Sequence, residues 1–373
     1  MPAAGEAALD REPLVSIVVP SFQQGRFLPF ALEGLTRQTS RPVETAVFDN
    51  ISTDASNDVL RLFAGRVSRI VRAKDLGQAD ALRTGFKESG AQVLGWLNAD
   101  DMILPDTVER VSAIFQDHPE IDVVYGDCAF LSESGQFLGY FHDIQDFSTR
   151  DLLNFSDFIP QPSTFFRRSA YERVGGIDAS LHYAMDWDLW CRMARAGCRF
   201  MRVKEVLAAA RIHPTTKTSS GGLKRSKEVW RVNRRHAGFG IPFVAAAQLY
   251  HRYLRRYAGP FAPVARWLWS SVLRAPRSNN LVQGLGPLGM LNAGRFRVRF
   301  PVFATARRLT LKCGRADGLI MDPPRGAFEG MHKPADASDG LVWELTCPAF
   351  IDEIDVSGTL QAGPSTTIQI LWE

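Results

Sequence analysis

Asp100 and Asp101 are adjacent carboxylates in the stretch Gly95-Trp96-Leu97-Asn98-Ala99-Asp100-Asp101-Met102. Ala91 to Leu97 has the apolar character of a strand buried on both faces, and Pro105 with Val108, Val111, Ile114 and Phe115 predicts a helix beyond it. The pair therefore falls where a strand ends. In an open parallel sheet, ligands collect in the crevice at the carboxyl ends of strands. Two like charges side by side need a counter-charge, and a hard divalent cation, Mn or Mg, takes carboxylate oxygen and shares its other positions with phosphate and water. The plainer alternative has Asp101 capping the next helix and Asp100 solvated. A second acidic cluster, Met185-Asp186-Trp187-Asp188-Leu189-Trp190, leads into a helical stripe of Leu189, Met193 and Ala196. That spacing puts Asp186 at or before a helix N-terminus, where Asp is also a favoured cap.

The elements that must position these groups alternate strand and helix. Leu14 to Pro20 reads as a buried strand ending on Pro20-Ser21-Phe22-Gln23-Gln24-Gly25, followed by a helix to about Gln38 with Phe27, Phe30, Ala31 and Leu35 on one stripe. Val43 to Phe48 is a second strand. It ends on Asp49-Asn50-Ile51-Ser52-Thr53-Asp54, whose Ser, Thr and Asp offer N-caps to a helix carrying Val59, Leu60 and Phe63. Val67 to Val71 is a third strand, and Lys74 to Asp80 leads into a helix ending near Glu88. This alternation predicts a doubly wound α/β sheet with right-handed crossovers and polar clusters along one edge. The dinucleotide fingerprint is absent after the first strand, where Pro20 to Gly25 holds one glycine, and there is no Walker A lysine loop. Any phosphates are therefore not held mainly by a glycine-rich nest, which leaves that work to a metal.

Four motifs in order, Val18-Val19-Pro20-Ser21-Phe22, Asp49-Asn50-Ile51-Ser52-Thr53-Asp54, Gly77-Gln78-Ala79-Asp80-Ala81 and Asn98-Ala99-Asp100-Asp101, resemble the family 2 glycosyltransferases over about residues 14–220. The resemblance implies a GT-A type mixed sheet flanked by helices and inversion at the anomeric carbon. It implies that Pro20, Ser21 and Phe22 line a base pocket, that Asp49 accepts a hydrogen bond from the base, and that Gln78, Asn98 and Asp100 meet the nucleotide-sugar. Asp100 and Asp101 match the metal and diphosphate motif, and His213, in Arg211-Ile212-His213-Pro214-Thr215-Thr216-Lys217, resembles a late segment that approaches the diphosphate or the metal, the alternative being a structural histidine before proline. The commonest family pattern is Asp-Ser-Asp-Asp, so Asn98 is a departure and leaves open which of Asp100 and Asp101 ligates the metal directly. Asp186 occupies the position of the general base, which takes a proton from an acceptor hydroxyl during attack. Asp188 reads as a cap or orienting residue on the acceptor side. In Phe158 to Arg168, Gln161 and Ser163 are candidate acceptor contacts, the alternative being a buried strand fixed by its prolines. Lys217 is a weaker candidate for a phosphate contact. The Gln-x-x-Arg-Trp segment of processive synthases does not follow Asp188, which favours single additions.

The rest of the composition bounds these readings. A chain of 373 residues with 45% hydrophobic content, net charge +4 and no single-sign block in its first half suits soluble globular folding and gives no sign of a nucleic-acid partner. Five cysteines without C-x-x-C spacing suit a reducing compartment, and no apolar run approaches a membrane span. The expectation is a cytoplasmic protein, peripheral at the inner face of the membrane. Residues 1–13 read as a flexible N-terminus and 14–221 as the transferase domain. Residues 222–278 read as a basic, aromatic helical segment that either lies on an anionic membrane or packs on the domain or a second subunit. Residues 279–373 read as a β-rich module of packing or oligomerisation, from period-two runs such as Phe296 to Phe300, Leu309 to Cys313, Leu341 to Leu345 and Thr367 to Trp372. The expected partners are a nucleotide-diphosphate sugar, a glycan or lipid-linked acceptor and a second copy of the chain. Two other readings compete: a nucleotidyltransferase, which expects a glycine-rich basic loop that Ser21 to Gly25 lacks, and a noncatalytic sugar-nucleotide or glycan binder.

Overall fold

The computed structural model describes residues 15–39, 43–135, 137–141, 144–154 and 157–237, together with strands between Met290 and Trp372. The first helices and strands alternate as the apolar spacing predicts. β1 (Val15–Ser21), α1 (Leu28–Thr36), β2 (Val43–Asp49), α2 (Ser56–Phe63), β3 (Arg69–Arg72), α3 (Gln78–Glu88) and β4 (Val93–Trp96) lead to a two-residue strand, β5 (Met102–Ile103), and α4 (Thr107–Asp117). Then come β6 (Val123–Leu131), β7 (Phe137–Tyr140), α5 (Thr149–Asn154), β8 (Thr164–Arg167), α6 (Arg168–Arg173), α7 (Met185–Arg195), β9 (Phe200–Arg211), α8 (Lys217–Ser220) and α9 (Gly222–His236).

Nine strands form one sheet in the order β3-β2-β1-β4-β8-β6-β9-β5, with β7 paired to β6. β1 runs parallel to β2 and β4, and β2 to β3, whereas β8 is antiparallel to both β4 and β6. The result is the mixed, mostly parallel sheet flanked by helices that the resemblance implies. The chain winds outward from β1 to β3 and then returns to place β4 on the other side of β1. That reversal opens a crevice over the carboxyl ends of β1, β2 and β4, the usual ligand position in such sheets.

Both faces of the central strands are covered, which is why they read as unbroken apolar runs. Ile17 and Val19 of β1 face one core with Leu28, Leu32, Val47, Val93 and Phe115, while Val18 faces the other with Phe48, Phe86, Leu94, Trp96 and Trp190. Trp96 stacks on Trp190 with ring centroids 6.1 Å apart, and Phe166 meets Trp190 edge-on at 5.6 Å. These contacts seat α7 beneath the end of β4 and so fix Asp186 relative to the Asn98–Asp101 turn. Three local expectations change. Val67 makes only an isolated bridge to Ala64, so β3 starts later than its apolar residues suggest. Phe30, placed on the inner stripe of α1, is exposed and lies under the Arg211 guanidinium. Asp101 does not cap α4, because β5 intervenes and α4 begins after Asp106.

Ile51 adopts the left-handed conformation, φ 51°, in the loop after β2, and its side chain is 51% exposed. A β-branched residue pays for that conformation in steric strain, while exposure leaves it little burial to lose. Ile51→Gly is expected to stabilise the fold by about 0.5–1 kcal/mol after the entropy glycine adds to the unfolded chain. Thermal unfolding checks it, and a lowered midpoint would show that the Ile51 side chain contributes more than the strain removes.

Nine short strands between Met290 and Trp372 make two antiparallel sheets, with Arg308–Gly314 between Gly340–Thr346 and Thr366–Trp372, and Gly294–Pro301 against Glu353–Leu360. All four predicted period-two runs are strands. The proposed N-terminal segment and residues 238–278 of the helical segment lie outside the described residues.

Candidate active site

The loops leaving β1 and β2 are tied together. Gln23 N–H donates to Ser52 Oγ at 2.9 Å, Gln23 Nε2 to Thr53 Oγ1 at 2.9 Å and Gly25 N–H to Asp54 Oδ2 at 2.8 Å. Glycine is required at 25, since a Cβ there would lie 2.4 Å from the Ser56 nitrogen. The Ser52-Thr53-Asp54 run therefore bonds across the chain rather than simply capping α2, whose N-cap, Ala55, makes no side-chain cap bond. Asp49 is buried at the end of β2. It accepts from Ser52 N–H at 2.9 Å, Ser52 Oγ at 2.6 Å and Arg72 Nε at 3.2 Å. A carboxylate offers about four lone-pair sites, so one more donor can join. Ser21 is buried beside it in register, with an Oγ that has no hydrogen-bond partner among the described residues. Pro20 is half-buried and Phe22 is 57% exposed at the lip of the crevice.

Asn98 is the hub of the next strand end. Its Nδ2 donates to Asp101 Oδ2 at 2.9 Å and to Gln161 Oε1 at 3.0 Å, while its Oδ1 accepts from Gln78 Nε2 at 2.6 Å. An aspartate at 98 could make neither donation and would set a third carboxylate against Asp101, so the departure from the family pattern is matched by its neighbours. Lys217 Nζ donates to Gln78 Oε1 and, at 3.1 Å, to the His182 carbonyl just before α7. A polar chain thus runs from Asp101 through Asn98, Gln78 and Lys217 to the start of α7.

The two adjacent acids separate in role. Asp101 is buried and accepts from Arg211 N–H at 3.0 Å as well as from Asn98. Burial, followed by the charge of Asp100, pushes its carboxyl well above the usual range against those bonds. Asp100 instead points its Oδ2 at His213 Nε2, 3.1 Å away, and His213 Nδ1 is held by Thr215 Oγ1 at 2.9 Å with Phe27 against the ring. Two ligands of an octahedral cation at 2.0–2.1 Å stand about 3 Å apart on adjacent vertices, so Asp100 and His213 fit a Mn or Mg ion while Asp101 braces the turn. Among the described residues no group of three or more His, Cys, Asp or Glu side chains converges as a ready-made cage. A cation held here would take its remaining oxygens from phosphate and water.

Asp186 is the second residue of α7, part-buried, with Oδ1 accepting from Trp187 N–H at 2.9 Å. Burial raises its carboxyl above the usual range, opposed by that bond and by the positive charges of Arg225 and Lys217. Asp157, which the sequence reading missed, stands beside it. Burial and then the charge of Asp186 push Asp157 well up, and its buried Oδ1 has no hydrogen-bond partner among the described residues. Its only sequence signal is a lone acid among Phe155, Phe158 and Ile159. Burial lowers Lys217 to about 8 although Asp186, Glu228 and Asp100 all pull it back up, which places its ammonium between the proposed metal pair and the proposed base.

Three candidate acceptor contacts are turned inward. Ser163 is fully buried and donates to the Gly126 carbonyl at 2.7 Å. Gln161 is buried and braces the crevice from below, its Nε2 donating to the Trp96 carbonyl at 2.8 Å. Asp188 is not the cap of α7, whose N-cap is Ala184. It lies inside α7, fully buried, with bonds from Arg192 Nε at 2.7 Å, His236 Nε2 at 2.8 Å and Arg235 Nη1 at 3.1 Å. Burial opposes its charge, yet the bonds from His236 and Arg192 hold it down at about 2. Sequence spacing could suggest only Arg192, four residues on, because Arg235 and His236 come from α9, 47 and 48 residues further along.

A mixed α/β sheet with polar loops gathered over β1, β2 and β4, and a helix start facing them, is an α/β architecture with a ligand-type crevice at its strand ends. Comparison with known proteins narrows the class. The family described as Glycosyl transferase family 2 matches residues 16–175, and Glycosyl transferase family group 2 matches residues 96–294. A PGL/p-HBAD biosynthesis glycosyltransferase of Mycobacterium tuberculosis is 30% identical over 202 residues, which is 53% of this chain and 76% of the relative. An uncharacterized glycosyltransferase of Haemophilus influenzae is 25% identical over 182 residues, 48% of this chain and 62% of its own. Among solved structures, TarS of S. aureus in complex with UDP-GlcNAc aligns at TM-score 0.48 and 14% identity over 66% of this chain and 74% of its own. The mannosyltransferase PcManGT of Pyrobaculum calidifontis in complex with GDP-Man and Mn2+ aligns at 0.48 and 18% over 69% and 74%. The chain belongs to glycosyltransferase family 2 and is a glycosyltransferase.

Proposed function

We propose that this glycosyltransferase moves a sugar from a nucleotide diphosphate to a hydroxyl of a glycan or lipid-linked acceptor, with inversion and one addition at a time, in surface or extracellular polysaccharide biosynthesis. The observation that carries the reading is the polar chain joining Asp101 to the start of α7 beside the Asp100–His213 contact, which sets a metal-type acid–histidine pair and a part-buried carboxylate around one crevice.

In this mechanism the base sits between Phe22 and the end of β2, with the free lone pair of Asp49 as acceptor for its N–H. Gln78 and Asn98 face the sugar-phosphate, and a Mn or Mg ion would be held by Asp100 and His213 and would supply positive charge against the diphosphate. Lys217 adds a second positive charge on the same side. Asp186 takes the proton from the acceptor hydroxyl as its oxygen bonds to the anomeric carbon. The bond from that carbon to the diphosphate oxygen breaks on the opposite face, and no covalent enzyme intermediate is needed.

The exposed face of α9 supports a place at the inner membrane surface. Lys224, Lys227, Arg231 and Arg234 project from it beside Trp230, on which the Arg234 guanidinium lies 5.2 Å from the ring centroid. Its opposite face, Val229, Val232 and Asn233, packs on the domain. Among the described residues no helix is long and apolar enough to cross a membrane.

Calorimetric titration with UDP-, GDP- and dTDP-sugars, with and without Mn or Mg, tests the donor assignment. Binding to one of them at about 1 μM to 1 mM, strengthened by metal, is expected. Folded protein that binds none of them would overturn it and leave the noncatalytic glycan binder.

A further inference from the structure

Glu228 lies in the middle of α9, buried, and its carboxylate is not turned toward the crevice or toward solvent. It is filled by main chain instead. The N–H of His182 donates to both oxygens at 2.9 Å, that of Ala184 to Oε1 at 2.7 Å, and that of Tyr183 also to Oε1. Three consecutive amides thus converge on one side chain from 44 to 46 residues away. Ala184 is the N-cap of α7 and has no side chain of its own to offer, so Glu228 supplies from outside the negative charge that a helix start favours.

The same helix holds α7 and α5 at other points. His236 and Arg235 bond Asp188 one turn further along α7, and Asn233 Nδ2 donates to the Leu153 carbonyl at 3.3 Å. Lys217 fixes the His182 carbonyl from the other side. Asp186 follows Ala184 by two residues, so its position depends on a segment whose amides all end on Glu228. A carboxylate buried in this way satisfies three main-chain amides that an apolar side chain would leave without an acceptor, so its geometry and theirs are fixed together.

We propose that Glu228 is a positioning residue for the transfer reaction: by gathering the amides of His182, Tyr183 and Ala184 it fixes the first turn of α7 and with it the carboxylate of Asp186. The inference rests on Asp186 being the general base.

The test uses the full chain with UDP-glucose, GDP-mannose and dTDP-glucose and water as the acceptor hydroxyl, whose oxygen bonds to the anomeric carbon and whose proton passes to Asp186, following nucleotide diphosphate released per donor-binding site, with binding by calorimetry and unfolding by thermal melt. Glu228→Ala is expected to lower the release rate about 10–100-fold with donor Kd within about twofold, since a displacement near 1 Å costs that much. Glu228→Gln keeps an oxygen where Oε1 stands and should recover to within about threefold of the native rate. Glu228→Asp, one methylene short, should not. If the alanine variant fails to fold, the Gln and Asp variants carry the test. Native rates per binding site in both Gln and Asp variants, with only a lower melting temperature, would reduce Glu228 to a brace and overturn the proposal. Asp186→Asn separates the two failures: a native rate there sinks the base reading itself, whereas a dead Asp186→Asn beside native Glu228 variants sinks only the positioning role.

Discussion

Asp186→Asn is expected to abolish sugar transfer, by about 10²–10⁴-fold, while donor affinity stays within about twofold, because the amide fills the same space but cannot take the acceptor proton. A rate loss that tracks a loss of donor binding would point to a role on the donor side instead. The pH dependence adds a second readout. The Asp186 carboxyl stands above the usual range because it is buried, so the rate should rise with pH through a raised value and then level. Asp157 is its neighbour, and coupling between two charges is mutual. Asp157→Asn removes one of them and should move that limb to lower pH. Stability follows with the sign worked out: a carboxyl raised in the fold binds protons more tightly there than in the unfolded chain, near 4, so its contribution is present at low pH and is lost as pH rises through the folded value. Asp157→Asn should therefore melt higher than the native chain at neutral pH, with the gap closing toward pH 4. Asp188 works the other way. Held at about 2, it contributes stability above about 4 that is lost as the solution is acidified toward 2. A rate limb that stays in place in the Asp157 variant would show that burial alone sets the titration of Asp186.

Asp100→Ala and His213→Ala are each expected to remove metal-dependent donor binding and to lower turnover by about 10²-fold or more, because the two side chains stand 3.1 Å apart as a pair; Asp100→Ala should leave the melting temperature little changed, whereas His213→Ala should lower it, since its buried ring packs on Phe27. Asp101→Ala is expected to behave differently. It leaves the buried Arg211 amide without its acceptor and takes from Asn98 Nδ2 one of two, the other being Gln161, which costs about 1–3 kcal/mol of stability, and it disturbs metal binding only through the turn. Manganese binding followed by paramagnetic resonance, with and without donor, distinguishes the pair. Equal loss of metal in a well-folded Asp101→Ala would mean that Asp101 is a ligand in its own right.

Much of this protein could be read along the chain. The first four strands and their helices follow from apolar spacing alone, because strands covered on both faces leave an unbroken signature and helices facing one side repeat every three to four residues. The Asp100–Asp101 pair at a strand end, the Asp186 helix start and the four ordered motifs were equally visible, since each is local. Gly25 is a local signal of another kind, legible as a turn but explained only by the approach of the Ser56 backbone.

What the tertiary structure decided is which polar groups share a partner. Adjacent in sequence, Asp100 and Asp101 diverge because β9 brings the Arg211 amide to one and the loop after it brings His213 to the other. Ser163, Gln161 and Asp188 are turned inward, onto Gly126, onto Trp96 and Asn98, and onto α9, contacts with no fixed spacing along the chain. Asp157 and Glu228 were silent in the sequence for the same reason. The sequence determined where strands end and which chemistry stands at those ends, because period and composition act over a few residues. The three-dimensional fold alone determined which carboxylate is free, which is buried and which holds the helix of the proposed base, because burial and hydrogen-bond partners are properties of residues brought together from far apart.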